Sequence, residues 1–299
     1  MCVRARAPGK LVVSGAYSVL EGAPALVAAV DRYALAETER PCDFVTPEVR
    51  EAFARAGLGD RYPWFDASAL RGEGRKLGLG SSAAIMIASL AAAWPEEVAP
   101  EAWGDTLFAL GLASHRAAQG GGSGVDVAAA CFGGVLRFAL GEGETPEVEP
   151  HPLPAVVVEC WACSEAASTS AMVARVRALA AAEPTRYQDL MTVAGDGARG
   201  AVAATTAVAL VNALRQQDEA LGQLGEAAEV PILTNQVRAL IAAAADEGAR
   251  FGPSGAGGGD IALFIGPAPS SAGFRGRAER EGLCLLDLAV GAEGVRRLA

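Results

Sequence analysis

Apolar and polar residues alternate from 3 to 7, a period of two that predicts a β-strand, and Pro8-Gly9 reads as its stop. Two short β-rich runs, 11–13 and 25–30, flank the turn-forming Glu21-Gly22-Ala23-Pro24. Residues 41–75 are polar and irregular apart from a helical stretch at 48–56. The apolar period then lengthens. Helices are predicted over 83–94 and 101–118, Gly120 to Gly124 break the second, and an apolar helix or turn begins at Val125 before a strand at 135–138. The segment 141–154, rich in Gly, Glu and Pro, is the expected boundary between a domain at 1–150 and another at 151–299. Beyond it the pattern predicts a strand at 155–160, helices at 171–182, 199–215 and 231–247, and a glycine-rich loop at 252–259. A strand at 261–265, a helix at 272–281 and a last strand at 284–290 complete the chain. Strands and helices mix without regular βαβ alternation, so the predicted class is α+β.

Composition narrows the function classes. Of 299 residues 51% are hydrophobic, enough for a substantial core, yet no unbroken apolar run reaches the roughly 18 residues of a membrane span. Residues 1–10 lead straight into strand-like sequence without the apolar core of a signal peptide, and a soluble cytoplasmic protein is expected. The net charge of −10 argues against nucleic acid or an anionic membrane as partner, since either needs a basic footprint. Six cysteines are scattered through mostly apolar stretches. Cys160 and Cys163 have CxxC spacing, but without a second pair and with only two histidines they read as buried thiols rather than a zinc site. One count is pointed: of 25 basic residues only Lys10 and Lys76 are lysine, and both adjoin glycine-rich motifs. A chain that uses arginine for generic positive charge places a compact ammonium where a planar fork does not serve.

Three glycine-rich stretches carry candidate chemistry. Residues 78–83, Gly-Leu-Gly-Ser-Ser-Ala, fit the dinucleotide fingerprint formally but lack the buried strand that must precede it. What remains is a glycine turn, two hydroxyls and a helix N-terminus, physically an anion site or else a serine-capped helix. Asp126 follows Gly120-Gly121-Gly122-Ser123-Gly124 amid small apolar residues, as an N-cap or a functional carboxylate. Pro253-Ser254-Gly255-Ala256-Gly257-Gly258-Gly259-Asp260 sits between a helix and a strand, where three successive glycines mark close backbone approach.

The order of these signals is more specific than any one of them. Ala7-Pro8-Gly9-Lys10, Lys76 with Gly78 to Ala83, Gly124-Val125-Asp126 and the 254–260 loop together resemble the GHMP kinase superfamily over nearly the whole chain. Gly15-Ala16-Tyr17, the stretch 115–130, Ala167-Ser168-Thr169-Ser170 and the triple glycine look most like phosphomevalonate kinases. Two departures stand out: Gly252 where that family usually has lysine, and His115 roughly where mevalonate kinases place a magnesium-binding glutamate.

The resemblance implies a two-domain fold, with an N-terminal mixed α/β domain and a C-terminal ferredoxin-like α+β domain. It implies ATP and Mg²⁺ as cofactors and a small phosphorylated metabolite, 5-phosphomevalonate, as acceptor. Lys10 and Asp126 would be catalytic. Lys76, Gly78, Leu79, Gly80, Ser81 and Ser82 would bind ATP, with Ser82 as metal ligand. Ser168, Thr169, Ser170 and Gly257 would bind substrate, with Arg137 and Arg175 as further candidates, and the chain would be a monomer or homodimer. Asp260 reads as a brace of its loop and His115 as an ordinary helical residue. An alcohol acceptor such as mevalonate or homoserine, the decarboxylase branch, and a non-catalytic nucleotide-binding protein stand as alternatives.

Overall fold

The first strand, β1 (Arg4–Ser14), does not stop at Pro8-Gly9. It continues through a bulge: Pro8 faces Tyr33 and Gly9 faces Val30 on β2 (Ala25–Glu37), with a register shift between them. A bulge bends a strand while pairing resumes on either side, and it is one of the few places in a sheet that accepts proline. The glycine is needed there, because a Cβ on Gly9 would lie 2.6 Å from Leu70 Cδ2 and 2.8 Å from the Leu79 carbonyl oxygen. The expected stop is therefore a bend that sets Lys10 against residues 78–80.

The computed structural model describes residues 2–72, 75–95, 100–141, 145–164 and 169–298, with backbone alone for 100–102, 169 and 170. Further strands are β3 (Trp64–Asp66), β4 (Arg71–Gly72), β5 (Arg75–Lys76), β6 (Val135–Ala139), β7 (Glu147–Pro150) and β8 (Val157–Ala162). They are followed by β9 (Arg250–Pro253), β10 (Ile261–Gly266), β11 (Cys284–Leu286) and β12 (Arg296–Leu298). The first sheet runs β12-β1-β2-β6-β7, with β3 also on β2, and its pairings are antiparallel. The second runs β11-β8-β10-β9, again antiparallel, and β4 and β5 form a small hairpin. This mixture is α+β.

The helices are α1 (Pro47–Ala56), α2 (Ser81–Ala93), α3 (Pro100–Gln119), α4 (Val125–Phe132) and α5 (Thr169–Ala182), then α6 (Pro184–Ala203), α7 (Ala207–Ala227), α8 (Asn235–Asp246) and α9 (Ala272–Arg280). α2 is buried from Ala83 to Ala92 and packs on β1 and β2. Apart from Ser89 its buried residues are apolar on every side, as a helix enclosed by protein requires. The second sheet builds its own core around Phe274, whose ring lies 4.9 Å from Phe264, 5.3 Å from Phe251 and 5.8 Å from Trp161.

Several sequence expectations are corrected. The helix expected over 199–215 is two helices, because Thr206 caps α7 by accepting the Ala209 amide at 3.2 Å. α6 went unforeseen: Gly195, Gly197 and Gly200 interrupt its apolar stripe, yet Gly197 lies so near α7 that a Cβ would come within 2.9 Å of the Ala213 carbonyl oxygen. The 231–247 helix begins only at Asn235, capped by Thr234. The last predicted strand shortens to β11, with Val290 keeping a single bridge to Val30. Among the cysteines, Cys131, Cys160 and Cys163 are buried, whereas Cys2 and Cys284 are exposed. No helix among the described residues is long and apolar enough to cross a membrane.

One buried ion pair ties α7 to the second sheet. Arg250 Nε and a terminal guanidinium nitrogen each donate to Asp218 at 2.6 Å, the side chains 2% and 8% exposed, and the guanidinium also reaches the Pro253 carbonyl at 3.0 Å. Gly252 is the residue that leaves room, since a Cβ there would collide with both partners. The departure at Gly252 thus has a packing cause. Removing one partner strands a buried charge, so Asp218→Ala is expected to lower stability by about 3–5 kcal/mol, read by urea denaturation. Arg250→Met with Asp218→Leu should recover much of that loss.

Candidate active site

A cleft of about 960 Å³ opens where the three glycine-rich stretches meet. β1 is its spine. The Lys10 amide donates to the Leu79 carbonyl at 2.9 Å, and the Val12 amide donates to Ser254 Oγ at 3.0 Å, so the strand holds the first and third stretches side by side. The Lys10 ammonium donates to the Gly78 carbonyl at 2.8 Å. Tyr17, just beyond β1 at φ 59°, donates its hydroxyl to the Ala256 carbonyl at 2.9 Å and ties the third loop to the cleft mouth.

Gly80 is the N-cap of α2 at φ 74°, and no side chain caps that helix. The first backbone N–H groups of a helix have no intrahelical partner, so α2 offers amides to an external acceptor. A Cβ on Gly80 would lie 2.9 Å from Lys10 Cγ and 3.4 Å from Asp126 Cβ. A Cβ on Gly78 would lie 2.8 Å from an Asp260 carboxylate oxygen. Glycine at these two positions lets one ammonium and two carboxylates close over the start of α2.

The charges are mutually dependent. Burial drives the Lys10 ammonium below the usual lysine range, opposed by attraction from Asp126, Asp260 and Cys160. Burial also works against the Asp126 carboxylate, but His115 and Lys10 together hold it below the ordinary aspartate range. Asp126 Oδ1 accepts the Val127 amide at 3.0 Å, and Oδ2 lies 3.2 Å from His115 Nε2. Asp260 goes the other way: burial raises it, offset in part by Lys10 and Arg75.

Of the expected site residues, Lys10, Lys76, Gly78, Gly80, Ser81, Ser82, Asp126 and Gly257 line this cleft. Leu79 does not. Its side chain is 1% exposed in the core, and its backbone carbonyl is what serves Lys10. Ser168 lies outside the described residues, as do the side chains of Thr169 and Ser170 at the start of α5. Arg137 and Arg175 are not in the lining: Arg137 pairs with Glu147 and Glu149, and Arg175 with Glu229. Arg177 lines it instead. Two residues along a helix is a different face, and apolar periodicity on α5 does not single out which arginine turns inward. His115 and Asp260 also line the cleft. The eleven-residue separation of His115 and Asp126 becomes a contact only through the glycine turn joining α3 to α4.

No protein-family model matches the chain. In sequence it is 28% identical to the phosphomevalonate kinase of Streptomyces sp. (strain CL190), over 97% of each chain. In structure it overlaps the Lin0012 protein of Listeria innocua with a TM-score of 0.84, at 21% identity over 100% of this chain and 99% of that one. It overlaps Streptococcus pneumoniae phosphomevalonate kinase, in complex with phosphomevalonate and AMPPNP, with a TM-score of 0.77, at 21% identity over 97% and 99%. The chain has the GHMP kinase fold. At the open N-terminus of α2, Gly80 combines a positive φ with close neighbours. Gly80→Ala, which sets a Cβ at positive φ against Lys10, is expected to destabilise the protein by about 1–2 kcal/mol or more, measured by thermal unfolding.

Proposed function

We propose that this cleft transfers the γ-phosphoryl group of ATP to the phosphate of 5-phosphomevalonate, giving 5-diphosphomevalonate. The observation that carries the reading is the seat of Lys10: an ammonium held by the Gly78 carbonyl beside Asp126, in front of a helix N-terminus with no side-chain cap. The likeness to phosphomevalonate kinases supports the choice of acceptor. Residues 1–150 would carry the ATP-phosphate loop, and residues 151–299 would contribute much of the acceptor side.

The donors suit a triphosphate. The uncapped start of α2 lines the cleft with Ser81 and Ser82, and Lys76 lines it too. Among the described residues no group of three or more His, Cys, Asp or Glu side chains could cage a metal. Mg²⁺ bound through nucleotide phosphates needs only one or two protein oxygens, and the Ser82 hydroxyl is the one we assign. Such a metal would neutralise charge across the β- and γ-phosphates.

An acceptor phosphate oxygen attacks the γ-phosphorus as the bond to the ADP oxygen breaks. The chain's task is to bring two polyanions together and to neutralise the charge between them. Both lysines of the protein line this cleft, joined by Arg75 and Arg177. Lys10 would bridge the acceptor oxygen and the γ-phosphoryl group, with Asp126 fixing it. The low affinity of Asp126 for protons bears on the acceptor. An alcohol needs a base matched to the working pH, whereas a phosphate with a second pKa of about 6 is already largely dianionic. A carboxylate held below its usual range suits the second case better.

The test is ADP release from Mg²⁺-ATP with phosphomevalonate, mevalonate, homoserine and galactose offered in parallel. Turnover with phosphomevalonate alone is expected, and turnover only with an alcohol would overturn the acceptor assignment. Lys10→Met should lower kcat by about 10²–10³-fold, the usual cost of losing one group that stabilises transition-state charge. Because burial lowers Lys10, its charge is lost as pH rises through that depressed value. The alkaline limb of kcat against pH should therefore begin below the ordinary lysine value of 10.5.

A further inference from the structure

His115 is 4% exposed on the last turns of α3, with no reason in the core for a polar ring. Its Nε2 lies 3.2 Å from Asp126 Oδ2, within ion-pair reach, and neither ring nitrogen meets hydrogen-bond geometry with any of the described residues. On its far side stands α1, whose buried Glu48 accepts from Gln119 Nε2 at 3.0 Å and attracts the imidazole. α2, which also packs on α3, contributes only serine and apolar residues. Arg116, the next residue along α3, turns to the Gly122 and Ser123 carbonyls at 3.3 Å. The charged groups facing the ring are therefore Asp126 from α4 and Glu48 from α1.

We propose that His115 is a positioning residue: its Nε2 edge pairs with Asp126 Oδ2, so that the carboxylate faces Lys10 as an anion. Glu48, His115, Asp126 and Lys10 then form a row of alternating charge running from the α1–α3 packing into the cleft. Oδ1 accepts the Val127 amide, and Oδ2 faces the imidazole at ion-pair distance. Without the imidazole, burial would favour the protonated acid, and Lys10 would lose the partner that offsets its own burial. Burial pulls the His115 proton affinity down, but the Asp126 carboxylate, helped by Glu48, brings it above the usual histidine value. The ring thus holds its proton more tightly beside Asp126 than a free imidazole does. The catalytic consequence rests on the phosphoryl-transfer reading above; the charge arrangement itself does not.

The test uses the full-length protein. It has two histidines, so isotope-labelled imidazole NMR resolves both, and His151→Gln assigns them. His115 is expected to titrate above 6.5 and to fall on Asp126→Asn and, by less, on Glu48→Gln. Titration at or below 6.5, or indifference to Asp126→Asn, overturns the proposal whether or not any acceptor turns over. With a turning-over acceptor, His115→Gln should lower kcat by about 10- to 100-fold. The KM for ATP should stay within about twofold, and the acid limb of kcat should move to higher pH. A kcat within about threefold of the unaltered protein, with an unmoved acid limb, would make His115 a packing residue and sink the positioning role. If His115→Gln does not fold, Glu48→Gln decides: the His115 titration must fall, and an unchanged titration counts against the row.

Discussion

An ammonium withdrawn from water costs several kcal/mol unless charge and hydrogen bonds replace its hydration. Lys10 imposes that demand at the point where β1, the start of α2 and the third glycine-rich loop converge. The Gly78 carbonyl takes one of its protons, and Asp126 and Asp260 bring negative charge from two other elements. Much of the surrounding structure follows from fitting those groups around one thin stem. Gly78 and Gly80 lack side chains because Asp260 and Lys10 occupy the space, and the bulge at Pro8/Gly9 brings the strand close enough for its backbone to pair with Leu79. A planar guanidinium would not fit between the same neighbours and would not release its proton as its surroundings change.

The parts of this arrangement that were legible in the sequence are those encoded locally. Glycines at 78 and 80 before an alanine-rich helix, a lone lysine after Pro8-Gly9, and an aspartate after a glycine run each state a backbone requirement within a few residues. What escaped depends on distant packing. α6 was hidden because the glycines that let it approach α7 look like helix breakers when only one of the two helices is in view. Arg177 and Arg175 are equivalent in the sequence and differ only in the face of α5 that meets the cleft. His115 looked like a helical residue because its partner arrives from the next helix and its second carboxylate from α1, 67 positions earlier. Gly252 read as a departure from a family pattern, and only the Arg250–Asp218 pair gives it a cause.

The charge distribution shows how an acidic protein can accommodate polyanions. Net charge is −10, yet Lys10, Arg75, Lys76 and Arg177 are gathered in one cleft. A low-dielectric cavity focuses the field of its own cations, so local sign matters more there than the total. Arg75 also reaches back to the Cys163 and Ser164 carbonyls at the end of β8, which fixes the hairpin bearing Lys76 to the second sheet. The position of Lys76 is thus set in part by the second sheet rather than by its own loop alone.

β1 also has a consequence for how such a sequence can change over generations. Leu11 and Val13 are buried in the core while Lys10 and Val12, alternating with them, line the cleft, so the strand's chemistry is carried by parity. Replacing one residue leaves that parity intact. Inserting or deleting one just after the first bulge exchanges the two faces, sending the ammonium into hydrocarbon and Leu11 into the cleft. This stretch is therefore closed to any change in length.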